Sequence, residues 1–144
     1  SSAASDVYKR QNINSPEFQD LKLLVQTLHA AGADVQYVSI PSNGRWYDHI
    51  GIKKDRREAV YKKIHSTVVD NGGKIYDLTN KDYEKYVISD AVHIGWKGWV
   101  YVDQQIARHM DGHAPKNHEV DYSKNKPPHK HHNDRQDDQH LCNK

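Results

Sequence analysis

Cysteine is nearly missing from this chain: Cys142 is the only one among 144 residues, so no internal disulfide can staple the fold. Long hydrophobic runs are missing too. No stretch approaches the roughly 18 consecutive apolar residues of a membrane-spanning helix, so nothing in these residues reads as crossing a bilayer. The opening SSAAS has neither the basic start nor the apolar core of a secretory signal, and residues 1–14 read as an amino-terminal extension left by expression. An excess of either charge is lacking as well. Residues 1–110 carry 15 Lys and Arg against 13 Asp and Glu, the rest carries six of each, and the net charge is +2. So even a balance supplies no basic face for a phosphate backbone, and no nucleic-acid partner is expected.

Apolar residues are scarce, at 35% against the usual share of about 45–50%. The deficit sits in Asp111 to Lys144, where Ala114, Val120, Tyr122, Leu141 and Cys142 are the only apolar residues. With Pro127, Pro128 and scattered charges, this segment buries too little to offset its ordering entropy, so 111–144 reads as a disordered tail and 15–110 as the folded region. Seven of the 11 histidines lie from His109 onward, and the tract His129, His131, His132 is of a kind that holds Zn²⁺ or Ni²⁺. The reading adopted is a tail of low specificity, with no metal site and no cofactor.

What remains is strongly patterned. Ser15-Pro16-Glu17 is a helix start, with a hydroxyl to cap, a proline at the first helical position and an acid at the positive end of the dipole. Phe18, Leu21, Leu24, Val25 and Leu28 recur at helical spacing until Gly32. Asp34 to Ile40 reads as a buried strand ended by Pro41, and Pro41 to Ile52 as a loop carrying the turn signal Asn43-Gly44. A second helix is expected over Lys54 to Asp70, with Val60, Tyr61, Ile64 and Val68 inward, and a second strand over Lys74 to Leu78. After a Tyr-rich connection, a third helix runs from about Lys97 to Met110, with Trp99, Val102 and Ile106 on its buried stripe. Alternation of this kind predicts an α/β fold with a parallel sheet. Two strands are too few to cover three amphipathic helices, so the chain reads as the carboxyl-terminal part of a larger domain.

The densest chemistry lies in Ser89 to Tyr101, SDAVHIGWKGWVY, which sets Asp90 and His93 three apart just before a helix. An acid at that spacing can fix the tautomer of the imidazole, which is the base half of a nucleophilic triad. Functional groups of open α/β sheets gather at the carboxyl ends of the strands, and Asn43 falls on the same edge as the pair. Its amide could donate to a developing oxyanion. The bland alternatives are a surface hydrogen bond for Asp90/His93, a plain turn for Asn43-Gly44, and packing for Trp46, Tyr47, Trp96 and Trp99, with Trp46 and Tyr47 placed to line a pocket.

The runs Pro41-Ser42-Asn43-Gly44-Arg45-Trp46-Tyr47 and Asp90-Ala91-Val92-His93-Ile94-Gly95-Trp96-Lys97-Gly98-Trp99 resemble the carboxyl-terminal region of the DltD family, D-alanyl transfer proteins of Gram-positive bacteria. The likeness extends from about Ser15 to Arg108 and takes in the helix start and the Ala30-Ala31-Gly32-Ala33-Asp34 turn. That family is similar in turn to the SGNH hydrolases, whose last motif is Asp-x-x-His. The resemblance implies a flavodoxin-like or SGNH-hydrolase-like three-layer parallel sheet, with His93 as general base, Asp90 as its orienter and Asn43, Gly44, Trp46 and Tyr47 as oxyanion or substrate contacts. No Gly-Asp-Ser motif occurs in the chain, so the nucleophilic serine is expected outside it and the chain alone is expected to be inactive. The resemblance further implies acyltransfer or thioesterase chemistry in D-alanylation of lipoteichoic acid. Its implied setting is the outer face of the cytoplasmic membrane, with an amino-terminal anchor lying outside this chain. Implied partners are a D-alanyl carrier protein, a membrane-bound acyltransferase of the same pathway and lipoteichoic acid itself. A reading of another class is a non-catalytic module that docks one of those three.

Overall fold

A computed structural model describes residues 15–113, 115 and 120–129; residues 1–14, His131 and His132 lie outside the described residues. Helix α1 spans Pro16–Ala30 and strand β1 Gln36–Ser39. Helix α2 spans Gly44–His49 and helix α3 Lys54–Asp70. Strand β2 spans Lys74–Asp77, a 3-10 turn Thr79–Lys81, and helix α4 Trp96–Met110. Ser15 caps α1 by accepting the Glu17 N–H at 3.4 Å, with Pro16 at the first helical position as the sequence predicts.

Strands β1 and β2 pair in parallel, Tyr37 opposite Ile75 and Ser39 opposite Asp77, and α3 connects them. The molecule is thus α/β, with a two-stranded parallel sheet among the described residues. Its main core joins Val25 of α1, Val68 of α3 and Ile75 of β2, with Leu21, Tyr37 and Val69 at the margin. Each such side chain, fully buried, contributes about 1.5–3 kcal/mol. Helices α1 and α3 therefore cover the sheet face that carries Tyr37 and Ile75.

Several expectations change. Pro41 to Ile52 is not a plain loop, because Asn43 caps α2 by accepting the Trp46 N–H at 3.3 Å. Leu24 faces solvent, as do Trp99 and Ile106 of α4. Val102 is buried as expected, and Gly98 and Gln105 complete the inward stripe of α4. A Cβ at Gly98 would lie 2.5 Å from the Val87 carbonyl oxygen and 2.6 Å from Ile94, so the helix approaches the preceding loop on its smallest residue while Trp96 and Trp99 turn outward.

The expectation that 111–144 stays out of the core fails at Tyr122 and Asn125, both buried. The Tyr122 ring stacks on Tyr61 of α3 with centroids 6.4 Å apart, and its hydroxyl meets the Thr79 hydroxyl at 2.5 Å. An average over a polar segment hides one aromatic and one amide that find partners.

Candidate active site

Asp90 and His93 sit on a tight loop whose base is fixed by the backbone. Ile88 and Ile94 form an antiparallel bridge, the Ser89 N–H donates to the His93 carbonyl at 2.8 Å, and the Gly95 N–H donates to that of Val87 at 2.7 Å. Within the loop, Asp90 Oδ1 accepts the N–H groups of Val92 and His93, each at 2.9 Å. Its other oxygen, Oδ2, lies 2.6 Å from His93 Nδ1.

The backbone N–H of His93, then that of Val92 and the imidazole, hold the Asp90 carboxyl well below the usual carboxylate range, at about 2. An ionised carboxylate accepts only. His93 Nδ1 must therefore carry the proton in the neutral ring, which leaves Nε2 as a free base on an imidazole that is 78% exposed. The spacing in the sequence thus becomes a carboxylate bonded to an imidazole.

The Asn43 loop touches this one directly. The Asn43 N–H donates to the Ala91 carbonyl at 3.0 Å, tying the residue after β1 to the middle of the Asp90/His93 loop. Since the Asn43 side-chain oxygen caps α2, what the amide has left to offer is its NH₂ donor. Trp46 is half-exposed beside it. Gly44 and Tyr47 do not line an open site: Tyr47 packs with Ile52, Ile50 and Ala91, and Gly44 is buried with the Tyr83 ring and the Asp82 carbonyl where a Cβ would stand, at 2.8–2.9 Å. They shape the loop from below.

Composition and spacing did not point to the device beneath. Arg57 of α3 is fully enclosed and donates to Asp82 Oδ2 at 3.1 Å, Asp48 Oδ1 at 2.6 Å, the Ile52 carbonyl at 2.7 Å and the Tyr83 hydroxyl at 2.9 Å. Tyr83 in turn donates to Asp48 Oδ2 at 2.6 Å. Burial would lower the Arg57 pKa, but the bonds to Asp48 and Tyr83 and the charge of Asp82 outweigh it and keep the guanidinium charged. Burial pushes the Tyr83 hydroxyl up to about 12. The clue was available in the helix periodicity, because Arg57 precedes Tyr61, Ile64 and Val68 on their own stripe, where a cation needs buried acids.

The start of α4 is fixed beside the pair. Tyr86, at φ 68°, holds a left-handed backbone that costs a non-glycine residue about 1–3 kcal/mol, and its carbonyl accepts the Lys97 N–H at 3.1 Å. Glu84 then ties the helix down, pairing with Lys97 and accepting the Tyr101 hydroxyl at 2.8 Å. A cleft of about 350 Å³ lies elsewhere, lined by Lys81, Glu84, Lys124 and Asn125 among others, and none of Asn43, Asp90 and His93 borders it. Among the described residues no group of three or more His, Cys, Asp or Glu could hold a metal ion, and no helix is long and apolar enough to cross a membrane.

With this geometry in view, comparison with known proteins is decisive. The profile described as "DltD protein" matches residues 2–111. The chain belongs to the DltD family. Over 114 residues it is 80% identical to Protein DltD of Staphylococcus aureus (strain NCTC 8325 / PS 47), covering 79% of this chain and 29% of that protein. It is 42% identical over 92 residues to Protein DltD of Bacillus subtilis (strain 168), covering 64% of this chain and 24% of the relative. A third, Protein DltD of Lacticaseibacillus rhamnosus, is 28% identical over 95 residues, covering 65% of this chain and 22% of the relative. The chain therefore matches less than a third of the length of these relatives. Because the family match begins at residue 2, residues 2–14 carry family sequence, and the likeness starts earlier than the Ser15 helix.

Proposed function

We propose that this chain supplies the base, its orienter and an oxyanion donor to a serine acyl-transfer site completed by the rest of a longer protein. The observation that carries the reading is the bonding of Asp90 to His93 at both carboxylate oxygens, with Asn43 tied by its backbone to the same loop. In the step proposed, His93 Nε2 takes the proton of a serine hydroxyl as the serine oxygen bonds to the D-alanyl carbonyl carbon. The Asn43 amide donates to the oxygen that becomes negative. The bond from that carbon to the leaving sulfur or oxygen then breaks, and His93 returns its proton to the leaving group.

The serine would stand on a strand of the three-layer, SGNH-hydrolase-like sheet to which β1 and β2 belong. Exposed Val38 and Ile40 on and beside β1 and outward-facing Trp99 and Ile106 on α4 support further layers against these faces. The family membership supports the setting: D-alanylation of lipoteichoic acid at the outer face of the cytoplasmic membrane, with the protein anchored there by a segment outside this chain. A D-alanyl carrier protein, a membrane-bound acyltransferase and lipoteichoic acid are the partners proposed on the same ground.

Two substitutions in the full-length protein test this. His93→Ala should lower D-alanyl transfer or thioester cleavage about 10²–10⁴-fold, and Asn43→Ala about 10²–10³-fold. A normal rate in His93→Ala would remove the catalytic role.

A further inference from the structure

The family match ends at residue 111, yet the segment beyond it reaches the site. Asn125 is 7% exposed and donates its Nδ2 to Asp82 Oδ1 at 2.6 Å. Asp82, also buried, uses Oδ2 for Arg57 and its backbone carbonyl for the Gly44 N–H at 2.7 Å. Tyr122, three residues before Asn125, stacks on Tyr61, and the Tyr61 hydroxyl accepts the Ser42 N–H at 2.9 Å. Ser42 and Gly44 are the two neighbours of Asn43. Each is held by a group that the 122–125 segment touches, one through Tyr122 and Tyr61, the other through Asn125 and Asp82.

The segment has its own anchors. Lys54 Nζ donates to the Tyr122 carbonyl at 3.2 Å, the Tyr122 hydroxyl meets Thr79 at 2.5 Å, and Lys62 lies over the Tyr122 ring at 5.6 Å. From these contacts we infer that Tyr122 and Asn125 are positioning residues for Asn43, forming a strap that fixes the backbone on both sides of the oxyanion donor. The role rests on the acyl-transfer reading of Asn43, whereas the coupling itself rests only on the bonds above. Without Asn125, one oxygen of a buried carboxylate loses its donor, and burial already pushes Asp82 upward. The peptide that holds Gly44 then loosens while the Val25, Val68 and Ile75 core keeps its contacts.

Amide hydrogen exchange on this chain reads the coupling, and kinetics on the full-length protein reads its purpose. Asn125→Ala should lower Gly44 protection at least tenfold while amides of β2 and the middle of α3 stay within about twofold, and Tyr122→Leu should do the same at Ser42. Asn125→Asp adds a conservative check. Its carboxyl can donate to Asp82 only when protonated, so Gly44 protection in that variant should be higher at pH 5 than at pH 8. Unchanged Gly44 protection, an equal loss at every amide, or failure of Asn125→Ala to fold would each overturn the inference, because the strap would then be idle or a general prop. In the full-length protein Asn125→Ala should lower kcat about tenfold with KM within twofold. If exchange changes as expected and kcat does not, the reading of Asn43 as oxyanion donor fails while the coupling stands, so the two failures are told apart.

Discussion

Arg57 and His93 are each held by an aspartate at close range, but Asp82 and Arg57 are sealed from water while Asp90 and His93 stand in it. Enclosure makes the first pair costly to break and unable to meet a substrate. Exposure makes the second pair cheap to break and leaves a ring nitrogen free. The two also differ in reach, because Arg57 joins α3 to Asp48, Ile52, Asp82 and Tyr83, whereas Asp90 bonds only within its own loop among the bonds described. One region sets where Asn43 stands, and the other sets which nitrogen of His93 is free.

The largest expected effect breaks the buried side. Arg57→Leu strands Asp82 and removes one partner of Asp48, and loss of one member of a buried pair costs about 3–5 kcal/mol, measured as a lower midpoint in urea unfolding. A loss below about 1 kcal/mol would mean that the enclosed cluster is not the structural member of the two. Gly44→Ala comes next. Its methyl would have to displace the Tyr83 ring or the Asp82 carbonyl, an overpacking cost of about 1–3 kcal/mol, visible in the same unfolding curves. His93→Ala should leave the unfolding curve of this chain superimposable on the original, since the ring makes its bond in open solvent. A clear destabilisation there would erase the contrast.

The sequence shows these two regions unequally, for a physical reason. Asp90 and His93 are three residues apart and their bond is local, so spacing alone brings it into view, and the capped α1 and the span of α3 are equally local facts. Arg57, Asp82 and Asn125 meet over separations of 25 and 43 residues, which only the path of the chain decides. Trp99 and Ile106 mislead for a related reason. Hydrophobic periodicity marks an apolar stripe without saying whether these residues or others outside this chain cover it, and a glycine at Gly98 made the contact that a larger residue was expected to make. Asn43 bonds by its backbone to the loop that carries the pair, while Gly44 and Tyr47 pack beneath it, and close packing under a loop leaves no trace in spacing.

The smallest effect expected is a difference in acid response. With its folded-state pKa near 2, below the ordinary value of about 3.9, Asp90 gives a stabilising contribution that is present above the ordinary value and lost as pH falls through about 2. Asp82 has the opposite sign. Burial raises its pKa, so the folded state binds its proton more readily than the unfolded chain, and acidification relieves a cost there instead of removing a gain. Between about pH 5 and pH 3, where a free aspartate becomes mostly protonated, amide shifts of Val92 and His93 followed by NMR should therefore stay constant, and they should move only on approach to pH 2. Asp90→Asn keeps an oxygen acceptor for both N–H groups but cannot ionise, so its Val92 and His93 amides should show no such step. Movement of the wild-type signals centred near pH 4 would show that the two N–H groups do not favour the carboxylate.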